Sequence, residues 1–147
     1  MIKDKHTKIV FKFYDEDIDK LITERVWATK TGSFYKIDNI PFYAYLYSTD
    51  DIVQVVEDEN ELKVEKLIEP SGNSTLRILF DDVNELDKIR EELNLLNCDS
   101  EVNRRNKLLA VNIPKSISYK KIIDFIESKQ ELQYEESCIS EYHKKMM

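Results

Sequence analysis

The chain has 147 residues, of which 41% are hydrophobic and 35% charged, and it carries a formal net charge of -7 with a pI of about 5.0. That balance excludes a disordered chain, and the length is enough to bury a core without a disulfide or a metal. The acid excess excludes nucleic acid as the main ligand, because phosphate binding runs on surplus Lys and Arg, and it speeds encounter with a basic partner.

The only cysteines are Cys98 and Cys138, too few for a secreted disulfide framework, so both are expected as free thiols. The N-terminus, Met1 to His6, is charged and leads into no signal-like apolar core. No apolar run approaches the roughly 18 residues a membrane helix needs. The expected location is the cytoplasm, with no membrane contact.

Lys8 to Tyr14 alternates, with Ile9, Phe11 and Phe13 on one face, and predicts a strand. Asp15-Glu16-Asp17 breaks it, and residues 16–23 read as a helical turn or loop. Glu24 to Thr29 and Phe34 to Ile37 predict a hairpin around Gly32. Asp38-Asn39-Ile40-Pro41 turns the chain into its most aromatic stretch, Phe42 to Tyr47. Ile52 to Glu57 and Leu62 to Ile68 predict two more strands joined at Asp58-Glu59-Asn60-Glu61. Residues 1–70 thus predict a small antiparallel β-sheet or partial barrel.

The stretch Glu69-Pro70-Ser71-Gly72-Asn73-Ser74-Thr75-Leu76-Arg77 joins this lobe to a second, 71–147. Thr75 to Phe80 predicts a strand. Asp82 with Glu85 resembles a capping box, and Leu86, Ile89, Leu93 and Leu96 form one helical stripe. Cys98 to Arg105 predicts an edge strand, and Leu108 to Ile113, continuously apolar, a central one. Ser118 caps a helix whose Tyr119, Ile122, Ile123 and Ile126 share a face, and Leu132 to Ile139 predicts the last strand. The order β-α-β-β-α-β predicts an α+β fold in which a ferredoxin-like unit carries both helices on one sheet face and the aromatic lobe covers the other.

His6 and His143 lie near the two ends and the cysteines are far apart, so no such ligand pair occurs at helical or knuckle spacing and no metal is expected. With two glycines there is no phosphate-cradling loop or dinucleotide fingerprint, so no cofactor is expected either. A Cys138–His143 nucleophile pair lacks any sign of an activating third group. Two constellations remain. Tyr43, Tyr45 and Tyr47, beside Asp50 and Asp51 and with the acidic Asp58 and Glu59, read as a protein-binding face, since tyrosine is enriched at interfaces. Ser71, Asn73 and Arg77 read either as an anion site or as a joint whose side chains satisfy their own backbone. Alternation puts Arg77 on the covered sheet face, where it needs a carboxylate or an anion.

Several blocks together resemble a bacterial family, domain of unknown function 4265: Glu24-Arg25-Val26-Trp27-Ala28, Ile37 to Ala44, Asp51-Ile52-Val53, Glu69 to Arg77, Leu109 to Pro114 and Tyr134-Glu135-Glu136. The resemblance brings no activity with it. In the family's pattern the position of Asn73 is often His, so any proton-transfer role of that His is missing here. The expected function is a non-catalytic cytoplasmic binding protein, specifically an immunity protein that neutralises a basic toxin. The alternative is a small-ligand or regulatory module with its anion site at Ser71, Asn73 and Arg77.

Overall fold

The computed structural model describes residues 6–129 and 132–147; the charged N-terminal residues 1–5 lie outside it. It is a mixed α and β structure, mostly antiparallel strands in two sheets, with three helices among the described residues.

The first sheet contains β1 (His6–Asp15), β2 (Lys20–Thr31), β3 (Phe34–Ile37), β4 (Ile52–Asp58) and β5 (Glu61–Glu69). It closes into a barrel rather than the expected open sheet or partial barrel. An up-and-down meander of five strands leaves its first and last strands parallel, and β1 and β5 close the barrel at the parallel pair Val10 and Lys63. The expected loop over residues 16–23 is shorter in the structure. Only residues 16–19 turn, with Asp19 at φ 52, while Lys20 to Thr23 extend β2 against β1. The acidic cluster made the break look longer than it is.

The second sheet contains β6 (Ser74–Leu79), β7 (Ser100–Asn103), β8 (Leu108–Ile113) and β9 (Gln133–Cys138), in the order β7-β8-β6-β9 with every neighbouring pair antiparallel. The polar β7 is an edge and the apolar β8 is central. Asp82 caps α1 (Val83–Leu95) by accepting from the Asn84 amide, and Ser118 caps α2 (Tyr119–Glu127) by accepting from the Lys121 amide. Both helices bury their stripes, Leu86, Ile89 and Leu93 on α1 and Tyr119, Ile122 and Ile126 on α2, in one core with Leu76, Ile78, Leu109, Val111 and Ile113 of the sheet. A fully buried Leu or Ile contributes about 1.5–3 kcal/mol of transfer free energy, so this core is the main cohesive term of the second lobe.

The barrel holds a separate core of Ile9, Phe11, Val26, Ala28, Ile37, Ala44 and Val53. Between the two cores the contacts are polar. The Ser48 and Thr75 hydroxyls share a bond of 2.6 Å, the Leu46 amide donates to the Ser137 carbonyl, and Asn39 donates to Glu101. A last short helix, α3 (Glu141–Lys145), is capped by Ser140 and had no counterpart in the sequence reading.

Candidate functional site

The β1–β2 register pairs Phe11 with Glu24 and Ile9 with Val26, which places the Glu24 carboxylate on the inward face of the barrel. A carboxylate among apolar side chains needs hydrogen-bond donors. Glu24, only 8% exposed, finds three: the backbone amides of Phe42 at 2.7 Å, Tyr43 at 3.0 Å and Ala44 at 2.9 Å. The aromatic loop after β3 is thereby drawn onto the barrel mouth. Ala44 enters the barrel core, and Tyr45 and Tyr47 are presented beside it.

These tyrosines line a cleft at the seam of the barrel. β1 and β5 share a single register pair, Val10 with Lys63. The opening, about 290 Å³, is walled by Phe11, Phe13, Tyr45, Tyr47 and Val64, with Lys12 and Glu65 also lining it. Ring packing fixes the walls: Phe11 lies 4.8 Å from Tyr47, and Phe13 meets Tyr45 edge-on at 6.4 Å. Burial, and secondarily the Asp51 charge, pushes the Tyr47 hydroxyl above its ordinary pKa, so it stays a neutral donor. Tyr45 is 46% exposed, and the guanidinium of Arg77 lies 4.6 Å from its ring centroid. The next residue, Leu46, sits at φ 68 with 73% of its surface exposed. A leucine in the left-handed region costs about 1 kcal/mol, and its side chain recovers little of that by burial.

The joint from Glu69 to Arg77 is a structural connection. Asp51, only 3% exposed, accepts from the amides of Ser48 and Ser71. Burial raises its carboxyl above the usual range, against the opposing pull of those amides. Ser71 and Asn73 both donate to the Thr49 carbonyl, and Asn73 accepts from the Lys115 amide. Gly72 sits at φ 91, where a side chain is strained, and a Cβ there would come within 2.8 Å of the Lys115 side chain, which would have to move. Arg77, 5% exposed, donates to the Phe42 carbonyl at 2.9 Å and pairs with Glu135 at 2.5 Å. The carboxylate partner that its buried position demanded is thus Glu135. Ser71 and Asn73 converge on the Thr49 carbonyl, while Arg77 reaches the Phe42 carbonyl and Glu135, so these hydrogen bonds do not bring the three together.

The structure divides the proposed binding residues. Tyr45 and Tyr47 come together in the cleft. Tyr43 turns toward the second lobe, where its hydroxyl accepts from Asn106. Asp50 is exposed beside Lys36, whereas Asp51 is a correction: it is spent inside the joint and belongs to no surface. Asp58 and Glu59 sit at the β4–β5 turn, at the opposite barrel end from the β1–β2 turn, because β5 runs parallel to β1. Sequence reasoning missed Phe11, Phe13 and Val64 as cleft walls and Glu24 as the residue that holds the loop. The signal for Glu24 was present, since it alternates with Val26 and Ala28 and shares their inward face.

His143 is buried and does not reach for Cys138. Its Nε2 faces the Pro114 carbonyl, which only accepts, so Nε2 donates there, and Nδ1 shares a hydrogen bond of 2.6 Å with the Ser74 hydroxyl. Ser74 in turn accepts from the Ser140 amide. Burial pushes the thiols of Cys138 and Cys98 up, the latter to about 12. No group of three or more His, Cys, Asp or Glu is placed to hold a metal among the described residues, and no helix there is long and apolar enough to cross a membrane.

The model of the family described as Domain of unknown function (DUF4265) matches residues 24–136, from the buried Glu24 to β9. The chain belongs to that family. This DUF4265 chain is also similar to a solved structure described as a hypothetical protein from Neisseria gonorrhoeae, with a TM-score of 0.71 and 25% identity over 95% of this chain and 99% of that one. No curated protein matches the DUF4265 chain.

Proposed function

We propose that the protein is a non-catalytic cytoplasmic binding protein that captures another protein through the seam cleft, and that the captured partner is a basic toxin domain it neutralises. The observation behind this reading is that the exposed Tyr45 lines an open aromatic cleft, with Tyr47 beside it packed on the barrel core. Tyrosine supplies a large, rigid contact area at low entropic cost, which is why it anchors interfaces. The net charge of -7 favours a basic partner through steering and selectivity. A binding role rather than a chemical one is supported by the use of the buried titratable groups: Glu24 and Asp51 each hold backbone amides, and His143 holds a hydroxyl and a carbonyl. For the second lobe we read a ferredoxin-like split βαβ unit, supported by the antiparallel order β7-β8-β6-β9 and by the core that α1 and α2 share.

The test is growth rescue. The protein encoded beside this one is expressed in a bacterial host with and without this chain. The expected result is toxicity relieved by the wild type and restored by Tyr45→Ala with Tyr47→Ala. A neighbour that is harmless, or toxicity that the wild type leaves unchanged, sinks the toxin reading.

A further inference from the structure

We infer that the seam cleft receives an extended, lysine- or arginine-bearing segment of the partner, added as a strand along the free edge of β1; this rests on the capture reading above. Along its whole length β1 pairs with β2 on one side, but on the other its one register pair with β5 is Val10 with Lys63. From Lys12 to Asp15 no register pair joins β1 to β5 among the described residues, and Glu65 to Glu69 of β5 likewise has register pairs only with β4. At about 3.3 Å per residue, the β1 edge has room for a strand of roughly five residues. An exposed strand edge is a template for another chain, and an added strand presents every second side chain to one face. Here that face is the aromatic cleft of Phe11, Phe13, Tyr45 and Tyr47, so the alternate side chains that enter it must be apolar.

Charge decides what the outward side chains are. The β1 edge ends in the turn that carries Asp15, Glu16, Asp17 and Asp19, and β5 adds Glu65 and Glu69. The cations nearby are Lys12, Lys20, Lys63 and Lys66, with the buried Arg77 behind Tyr45, and Lys12 lies 3.4 Å from Glu61, so the rim keeps an excess of acid. An acidic rim opposes a second copy of this chain, whose own rim is acidic, and it opposes an anionic lipid surface. It matches a segment that alternates aliphatic with cationic residues. The exposed Tyr14 and Leu21, paired across β1 and β2 on the outer face, extend the apolar surface beside this edge.

The experiment uses the full chain and two labelled peptides of about ten residues, one alternating Leu with Lys and one alternating Leu with Glu. Binding is read by fluorescence anisotropy at low and high salt, and the contacted amides by hydrogen exchange. The Leu–Lys peptide should bind, weaken with salt, and protect the amides between Phe11 and Asp15 that point away from β2; the Leu–Glu peptide should not bind. Tyr45→Ala should weaken binding at least about tenfold, the loss expected of an aromatic anchor. Because Tyr45 also supports Arg77, the exposed pair Asp17→Lys with Glu65→Lys provides a second variant, which should weaken binding with the fold intact by circular dichroism. Equal binding of both peptides, binding of neither, or protection outside β1 and β5 overturns the proposal. So does a dimer of the free protein in which the amides between Phe11 and Asp15 that point away from β2 are already protected. If the peptide fails while growth rescue succeeds, this use of the seam is wrong and the capture reading stands; if rescue fails as well, both fall.

Discussion

Replacing Glu24 with Gln tests whether one carboxylate holds the aromatic loop. In the wild type, Oε1 accepts from the amides of Tyr43 and Ala44 and Oε2 from that of Phe42. Glutamine keeps one acceptor oxygen, which can serve Tyr43 and Ala44. Its amide nitrogen then faces the Phe42 N–H, donor against donor. A hydrogen bond to a charged group is worth about 1.5–3 kcal/mol, and an orphaned buried donor costs about 1–3 kcal/mol. The remaining bonds also weaken to neutral strength. The expected loss is about 2–4 kcal/mol, a large part of the roughly 5–15 kcal/mol that a domain has in total. Urea unfolding gives the stability, and amide exchange at Phe42, Tyr43 and Ala44 localises the effect. Glu24→Gln should lower the midpoint and speed exchange at these three amides more than at Leu109 or Val111 in the other lobe. A loss below about 0.5 kcal/mol, the size of an ordinary surface substitution, or unchanged exchange at the three amides, would refute the reasoning.

Arg77→Met should cost about 1–3 kcal/mol, mainly from the orphaned Phe42 carbonyl, because the half-exposed Glu135 regains water once its partner is gone; an unchanged melting temperature would count against it. Asp51 predicts a pH signature. Its folded carboxyl is raised by burial, so its contribution is full below the unfolded pKa and is lost as pH rises through the folded one. The stability of the wild type relative to Asp51→Asn should therefore fall as pH rises from the ordinary carboxylate range through the raised value, and a flat difference would show the shift is absent. Leu46→Asn should raise stability by about 0.5–1 kcal/mol, because Asn tolerates the left-handed region that Leu46 occupies at φ 68; a lower unfolding midpoint would mean that the leucine side chain is packed.

The elements read most clearly from the sequence were those whose pattern matches one period over several residues. Ile9, Phe11 and Phe13 alternate and line the barrel, and the α1 and α2 stripes are buried as their spacing requires. Residues 20–23 were misread because local acidity at 15–19 resembles a long loop, while their place in β2 is fixed by pairing with β1. Barrel closure was not legible, since the Val10–Lys63 contact leaves no local mark on either strand. Asp50 and Asp51 look alike in sequence. Only the fold separates them, turning one to solvent and the other to the Ser48 and Ser71 amides. Tyr45 and Tyr47 were legible as candidate contacts because aromatic density survives without a fold. Their partners Phe11 and Phe13 were legible only as one face of β1, because alternation does not say what that face meets.

The single pair that closes the barrel also has a kinetic meaning. The hairpins β1–β2, β2–β3 and β4–β5 join strands that neighbour each other in sequence, and each can zip from its own turn. Val10 and Lys63 sit at opposite ends of that series, so bringing them together carries the largest loop-closure entropy in the barrel and yields the least pairing in return. The barrel should therefore zip first and latch last, and in the native state the latch should be the first contact to let go. Amide exchange around Val10 and Lys63 would then run ahead of exchange in the β1–β2 ladder, and a segment lodged in the seam would slow it.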